Sequence, residues 1–252
     1  EHPDDWKEKF WEILDDRLEV IRAFFKKRYD IVRHQKCSSN PLAFTQGGLY
    51  EGTKSPDDTV GDLVRYMTAS FGITALDETT YLWTGKRLVD EGGEVSASIL
   101  RHLQDKLAEF KKEDGYLYAI YGTPAESLCA TQAGQYDRFC EKMGVENVFA
   151  STPHYSPEYF TNSFHVNVTE EISPFEKQDH EFEDFHLCEG GHIQYVRLDN
   201  PENMQAVRAI EVEYEELPFV LDVQKAMEPG APQLHEKFPN NILKHTTAAA
   251  GN

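Results

Sequence analysis

The stretch between Gly115 and Cys140 does most to limit what this chain can become. Its first part, GYLYAIYG, is a short apolar and aromatic run closed by a glycine, which reads as a buried strand. Helical periodicity resumes at once over residues 124–143. It also precedes the strand, over residues 95–112, where Ile99, Leu103, Leu107 and Phe110 share one face. A strand set between amphipathic helices buries its apolar side chains under helical layers, so the chain reads as one α/β unit in which helices dominate.

The joint between strand and helix, GTPAESLC, has its own chemistry. Thr123 and Glu126 stand at the spacing of a capping box with Pro124 at the first helical position. The spacing predicts that Thr123 bonds the free N–H near Glu126 while Glu126 reaches back. The remaining N–H groups of the first turn, with the helix dipole behind them, form an architecture that holds phosphates in many α/β proteins. A plain helix cap is the competing reading, and the Glu126 carboxylate occupies part of the space an anion would need.

Elsewhere periodicity assigns most of the chain. Residues 4–34 carry Trp6, Phe10, Ile13, Leu14, Leu18, Ile21 and Phe25 at helical steps. Residues 37–58 contain Asn40-Pro41 and Gly47-Gly48 and read as loop or extended chain. Ser55 and Pro56 open a helix expected to reach Ser70, and GITALDETTYLWTGK is a further helix ending near Gly85. YFTNSFHVNV alternates like a strand. Ser173 and Glu176 form a second capping box, GGHIQYVRL is a strand, and Asn200-Pro201 opens another helix. Beyond Met227 the periodicity ends, so residues 228–252 are expected to be an irregular tail.

Charge excludes several functions. Twenty-five Lys and Arg stand against 44 Asp and Glu, a formal net charge of −19. Such a chain repels nucleic acid and anionic membranes, and a phosphorylated ligand needs a local positive feature to approach it. No apolar run approaches the ~18 residues of a membrane span. Cys37, Cys129, Cys140 and Cys188 are widely spaced, with no Cys-x-x-Cys pair, which fits reduced thiols in a cytoplasmic protein. The first residue is Glu1, so the chain is expected to be processed or a piece of something longer.

Several polar groups invite a functional reading beside a structural one. His180, His186, Cys188 and His192 have spacings that match no metal motif, and core or solvated histidines are the preferred account. Cys129 lies near a helix N-terminus, where its thiol is either activated or simply small and buried. Asn162 and His165, in TNSFH, either orient a substrate or hold neighbouring backbone. Gly190 and Gly191 let a ligand or another backbone come close, as do Gly47 and Gly48. Asn167-Val168-Thr169 is a formal glycosylation sequon without other signs of secretion.

Taken in order, SNPLAFTQGG, SFGITALDE, GTPAESLC, YFTNSFHVNV, SPFEK and GGHIQYV resemble the anaerobic (class III) ribonucleoside-triphosphate reductases of the glycyl radical enzyme family. The resemblance covers residues 4–210. It implies that residues 1–227 are the later part of a ten-stranded α/β barrel, in which a glycyl radical and a finger-loop cysteine reduce ribonucleoside triphosphates to deoxyribonucleotides. It implies that Thr123, Pro124, Ala125, Glu126, Ser127 and Leu128 cradle the substrate phosphates, with Asn162 and His165 also on the substrate side.

Its further implications are a radical-SAM activating enzyme, formate or a thioredoxin-like reductant, ATP or dNTP effectors, structural zinc and a homodimer. Several family features have no counterpart in this sequence: the finger-loop cysteine, the Arg-x-x-Gly-Tyr radical segment, the zinc-binding Cys-x-x-Cys pairs and the regulatory nucleotide-binding cone. The expectation is therefore a fragment or split-gene product that does not turn over alone. A non-catalytic nucleotide-binding or assembly module is the alternative, and a glycyl radical enzyme acting on a carbon acid is a weaker third.

Overall fold

The computed structural model describes residues 5–46, 54–90 and 92–193, with Glu126 as backbone only. The chain divides into two compact units. Unit 1 comprises Glu1–Ala69 and Leu107–Tyr118, and unit 2 comprises Ser70–Lys106 and Ala119–Asn252. Two strands, β1 (Thr68–Gly72) and β2 (Leu117–Tyr121), pair as a small parallel sheet. They are joined by helices, as the right-handed crossover of a parallel pair requires. The architecture is thus a helix-rich α/β arrangement, and among the described residues its sheet has two strands.

Unit 1 is built on α1 (Trp6–Arg33), which matches the helical expectation closely. Of the loop or extended chain expected over residues 37–58, Asn40 and Pro41 take a turn. Asn40 caps a single helical turn, α2 (Pro41–Phe44), by accepting the Ala43 N–H. The helix expected over residues 55–70 is not formed. Asp58 closes a turn by accepting the Ser55 N–H, a 3-10 helix runs Gly61–Tyr66, and Thr68 begins β1. The Ser55 cap signal was real but served a turn, and the β-branched and aromatic residues of TASFG took the pleated geometry.

The apolar stripe of α1 is only partly used. Leu18 and Tyr29 are buried, whereas Ile13, Val20, Phe24 and Ile31 are exposed. The helix is fixed by polar contacts as much as by packing. Arg22 donates to both oxygens of Asp114, at 2.6 and 2.9 Å, and its guanidinium lies 4.4 Å from the Phe110 ring centre. Lys26 and the Tyr118 hydroxyl donate to the same carboxylate. The Arg22 hydrogen bond, helped by these neighbours, holds the Asp114 carboxyl well below the usual carboxylate range. Tyr29 donates to the Met67 carbonyl at 2.8 Å and packs on Tyr116.

Unit 2 holds α3 (Leu76–Thr84), most of α4 (Gly93–Asp114), α5 (Glu126–Met143) and α6 (Pro174–Leu187). The capping box of α6 forms as predicted, with Ser173 Oγ accepting the Glu176 N–H and Glu176 accepting the Ser173 N–H. YFTNSFHVNV is not a strand. It runs as turns, with one antiparallel bridge between Thr74 and Asn162. Its alternation reflects side chains taken up by different neighbours: Phe160, Phe164 and Val166 are buried, and so are Thr161, Ser163 and His165. Of the strand expected from Gly190, the described residues carry one parallel bridge, between Gly122 and His192, and residues 194–252, with the rest of that strand, the Asn200 helix and the tail, lie outside the described residues. Among the described residues no helix is long and apolar enough to cross a membrane.

Asp114→Ala should destabilise unit 1 by about 2 kcal/mol, since it leaves the half-buried Arg22 guanidinium without its carboxylate. Glu183 pairs with Arg101 on the surface of unit 2, and removing this exposed partner, in Glu183→Ala, should cost less than about 1 kcal/mol. Urea unfolding of the two variants measures the contrast, and equal effects would contradict the burial argument.

Candidate functional site

Three backbone segments of unit 2 meet at the end of β2. Gly190 donates its N–H to the Ile120 carbonyl at 2.8 Å, and Gly122 donates to the Gly191 carbonyl at 2.9 Å. A Cβ at Gly122 would lie 2.7 Å from His192 Cβ and from the Phe164 ring, and one at Gly190 would lie 2.7 Å from the Ile120 oxygen. The close approach expected of the Gly190-Gly191 pair is therefore made by another backbone.

The chain then turns sharply into α5. Thr123 donates its N–H to the Tyr121 carbonyl at 2.8 Å. Pro124 follows, and Ala125 adopts a left-handed conformation at φ 46°, ψ 34°. Ala125, not Thr123, is the N-cap, and no side chain caps the helix. Thr123 thus does not take the N-cap place expected of it, because the left-handed turn starts the helix two residues later. A non-glycine residue held in this conformation is strained by roughly 1–2 kcal/mol.

The first bond of the helix ladder runs from the Cys129 N–H to the Ala125 carbonyl at 2.7 Å. The N–H groups of Glu126, Ser127 and Leu128 precede it and point out of the helix start. Ser127 and Leu128 are exposed, so this turn opens to solvent. Cys129 itself is fully buried in a small core with Ala75, Ala133 and Phe160. Its sulfur lies 3.9 Å from the Pro124 carbonyl oxygen and 4.0 Å from that of Thr161, and it is 3.9 Å from the Asn162 amide nitrogen.

Asn162 reaches this turn. Its amide donates to the Pro124 carbonyl and, at 2.9 Å, to the Tyr159 hydroxyl, so its polar atoms hold backbone. Its own segment is tied to the start of α3. Glu78 Oε1 accepts from both the Thr161 N–H, at 2.7 Å, and the Thr161 hydroxyl, at 2.8 Å. Ala75 donates to the Thr161 carbonyl, and Asn167 donates to the Thr161 hydroxyl oxygen. Thr74 donates to Gln132 on α5 at 2.7 Å. Asn167, the asparagine of the formal sequon, is engaged internally by these contacts.

His165 belongs to a different network. Its Nδ1 lies 3.2 Å from Glu181 Oε2, and Glu181 also accepts from the Val166 N–H and from Lys177. Burial alone would raise the Glu181 pKa, but Lys177 and His165 outweigh it and hold the group at about 2. The ring of His192 stacks on Phe185 at 4.4 Å, and burial pushes its pKa down to about 4. Burial likewise raises the Cys188 thiol far above its ordinary value. Among the described residues no group of three or more His, Cys, Asp or Glu side chains is placed to hold a metal ion.

The structure therefore brings Thr123 to Leu128 and Asn162 together, whereas His165, whose N–H donates to the Asn162 carbonyl, turns its ring to Glu181. Periodicity gave no signal for Glu78, Thr161, Tyr159 or Gln132. An acidic residue in a first helical turn ordinarily reads as a solvated partner of the dipole, and Glu78 is instead 2% exposed.

An uncapped helix start directly after a parallel strand is a feature of α/β nucleotide-handling proteins. Residues 2–218 match the family described as anaerobic ribonucleoside-triphosphate reductase, and the chain belongs to that family. Curated relatives with that name include proteins from Escherichia coli (strain K12), 29% identical over 219 residues, and Haemophilus influenzae, 28% identical over 229 residues. A third, from Enterobacteria phage T4, is 28% identical over 207 residues. The matches cover 83%, 84% and 81% of this chain, and 29%, 30% and 31% of the respective relatives. The chain thus spans about a third of the length of the reductases it matches.

Two buried carboxyl groups of unit 2 give it a pH dependence. Burial, with repulsion from Glu78, pushes Asp77 up to about 7. Burial likewise raises Asp184 to about 7, against the hydrogen bond it accepts from Ser96 and with repulsion from Glu181. Both start from an ordinary value of 3.8, so the folded state binds more protons than the unfolded one between about pH 4 and 7. Their contribution to stability therefore falls as pH rises through that window. Glu181 acts oppositely, losing its stabilisation as pH falls from 4.5 towards 2, and His192 opposes charging between 6.5 and 4. Asp184→Asn keeps the Ser96 bond and removes one titration. Denaturant unfolding should show it gaining about 2 kcal/mol on the wild type between pH 5 and pH 7.5. A pH-independent difference would contradict the assignment.

Proposed function

We propose that this chain supplies the substrate-phosphate-binding part of an anaerobic ribonucleoside-triphosphate reductase. The single observation that carries the reading is the uncapped, solvent-open first turn of α5, set by a strained Ala125 at the end of a parallel strand. Three N–H groups there and the partial positive charge of the helix start favour an anion within a chain of net charge −19. Family membership gives that anion a chemical identity, because the relatives are named for ribonucleoside triphosphates.

In this proposal the N–H groups of Glu126, Ser127 and Leu128 receive the phosphates, with the Ser127 hydroxyl assisting and Thr123 and Pro124 shaping the rim. Asn162 positions the turn through the Pro124 carbonyl. His165, held by Glu181, orders the segment that carries Asn162. The reaction itself removes the 2′-hydroxyl by glycyl and thiyl radical chemistry, and no residue of this chain is assigned to that step. We place residues 1–227 in the later part of a ten-stranded barrel and residues 228–252 in an irregular tail. The full-length protein would act in the cytoplasm as a homodimer, with a radical-SAM activating enzyme and formate or a thioredoxin-like reductant. Its zinc and effector sites are assigned outside the residues described.

Ser127→Asp puts a negative charge at the start of α5. In the full-length protein it should weaken binding of CTP on the order of a hundredfold while leaving cytidine binding unchanged. Isothermal titration with both ligands measures this, and unaltered CTP affinity would sink the reading.

A further inference from the structure

We infer that Glu78 is a positioning residue for the phosphate turn, acting through Thr161 and Asn162 on the carbonyl of Pro124. The inference rests on the phosphate reading above and adds a residue to it that touches neither the turn nor a ligand.

The argument begins with what Glu78 holds. One carboxylate oxygen takes two hydrogen bonds from a single residue, the backbone and side chain of Thr161. Both partners are buried, with Glu78 at 2% and Thr161 at 6% exposure, so neither donor of Thr161 has water as a substitute. Around this clasp the same two segments are joined again. Ala75 donates to the Thr161 carbonyl at 2.9 Å, Leu76 donates to the Ser163 carbonyl at 3.3 Å, and Thr74 bridges Asn162. Residue 162 therefore has its backbone fixed on both sides before its side chain does anything.

What that side chain does is set the turn. The Asn162 amide donates to the Pro124 carbonyl, the last carbonyl before the left-handed residue. The direction of that carbonyl fixes the peptide plane between Pro124 and Ala125. It thereby constrains the backbone angles of Ala125 and the direction of the N–H groups that follow. A strained conformation persists only where its surroundings over-determine it. Here the surroundings run from Glu78 through Thr161 and Asn162 to Pro124, and the Tyr159 hydroxyl steadies the amide.

A carboxylate suits this place because it accepts without offering a competing donor. Glu78 Oε2 has no hydrogen-bond partner among the described residues, so glutamine can present its oxygen to Thr161 and turn its amide to the other side. Alanine leaves both Thr161 donors without an acceptor. The conservative and the truncating substitutions therefore separate geometry from mere bulk.

The test uses the full-length protein, with CTP and cytidine as probes and turnover measured alongside. Glu78→Ala should weaken CTP binding about tenfold and leave cytidine binding unchanged, raising KM more than it lowers kcat. Glu78→Gln should restore CTP binding to within about threefold of the wild type. A role confined to stability would lower the melting temperature of Glu78→Ala while leaving the ratio of CTP to cytidine affinity intact, and that result overturns the inference. If Glu78→Ala does not fold, Thr161→Val keeps the N–H bond to Glu78 and removes the hydroxyl, with its bond to Glu78 and the one it accepts from Asn167; it should lower the same ratio about threefold, an unchanged ratio again overturning the inference. Ser127→Asp separates the two levels of the argument. Loss of CTP affinity there with none in Glu78→Ala removes Glu78 alone, whereas no loss in either removes the phosphate reading beneath it.

Discussion

One oxygen atom of Glu78, buried on the first turn of α3, accepts both the amide and the hydroxyl of Thr161. Leaving a buried donor without its acceptor costs roughly 1–3 kcal/mol, and this one oxygen serves two donors. That hold matters because the segment it fixes forms no strand. Residues 159–168 have no ladder of their own, and their order comes from side chains reaching to α3, α5 and α6. Asn162 passes the order to Pro124, and the left-handed Ala125 depends on it. The helix start that gives this acidic chain a place for an anion is thus built on a buried acid.

Long periodic elements were legible in the sequence, and irregular ones were not. The first helix, the helices ending near Gly85 and near Lys112, the strand GYLYAIYG and the Ser173 capping box all follow from local signals. Each repeats an apolar spacing or places a capping group beside the N–H it serves. The failures have a common physical origin. Thr123-Pro124-Ala125-Glu126 has the letters of a capping box, yet tertiary hydrogen bonds from Asn162 moved the helix start beyond it. YFTNSFHVNV alternates, but the alternation sorts side chains among several neighbours rather than between two faces of a sheet. Ser55 and Asp58 made a turn because Thr68 onward was claimed by β1.

The candidate site was half legible for the same reason. Ser127 and Leu128 were found because a strand followed at once by a helix announces an open helix start. Asn162 stands out in TNSFH as a polar group that either orients a substrate or holds neighbouring backbone, and its amide donates to the Pro124 carbonyl. Glu78 gave no local sign, since its importance lies in a partner far along the chain. Residues that act by holding others are invisible to periodicity. They show only when burial and hydrogen-bond partners are known together.

That separation along the chain bears on how the molecule is made. Thr161 comes 83 positions after Glu78, and Asn162 comes 38 after Pro124. A polypeptide leaving the ribosome can wind α1 and α4 from neighbouring residues, but it cannot lock Ala125 into its unusual dihedral angles until the 161–163 segment has emerged. The bonds around this turn thus join residues made far apart in time, and the helix start reaches the form seen here only once both ends of each bond exist.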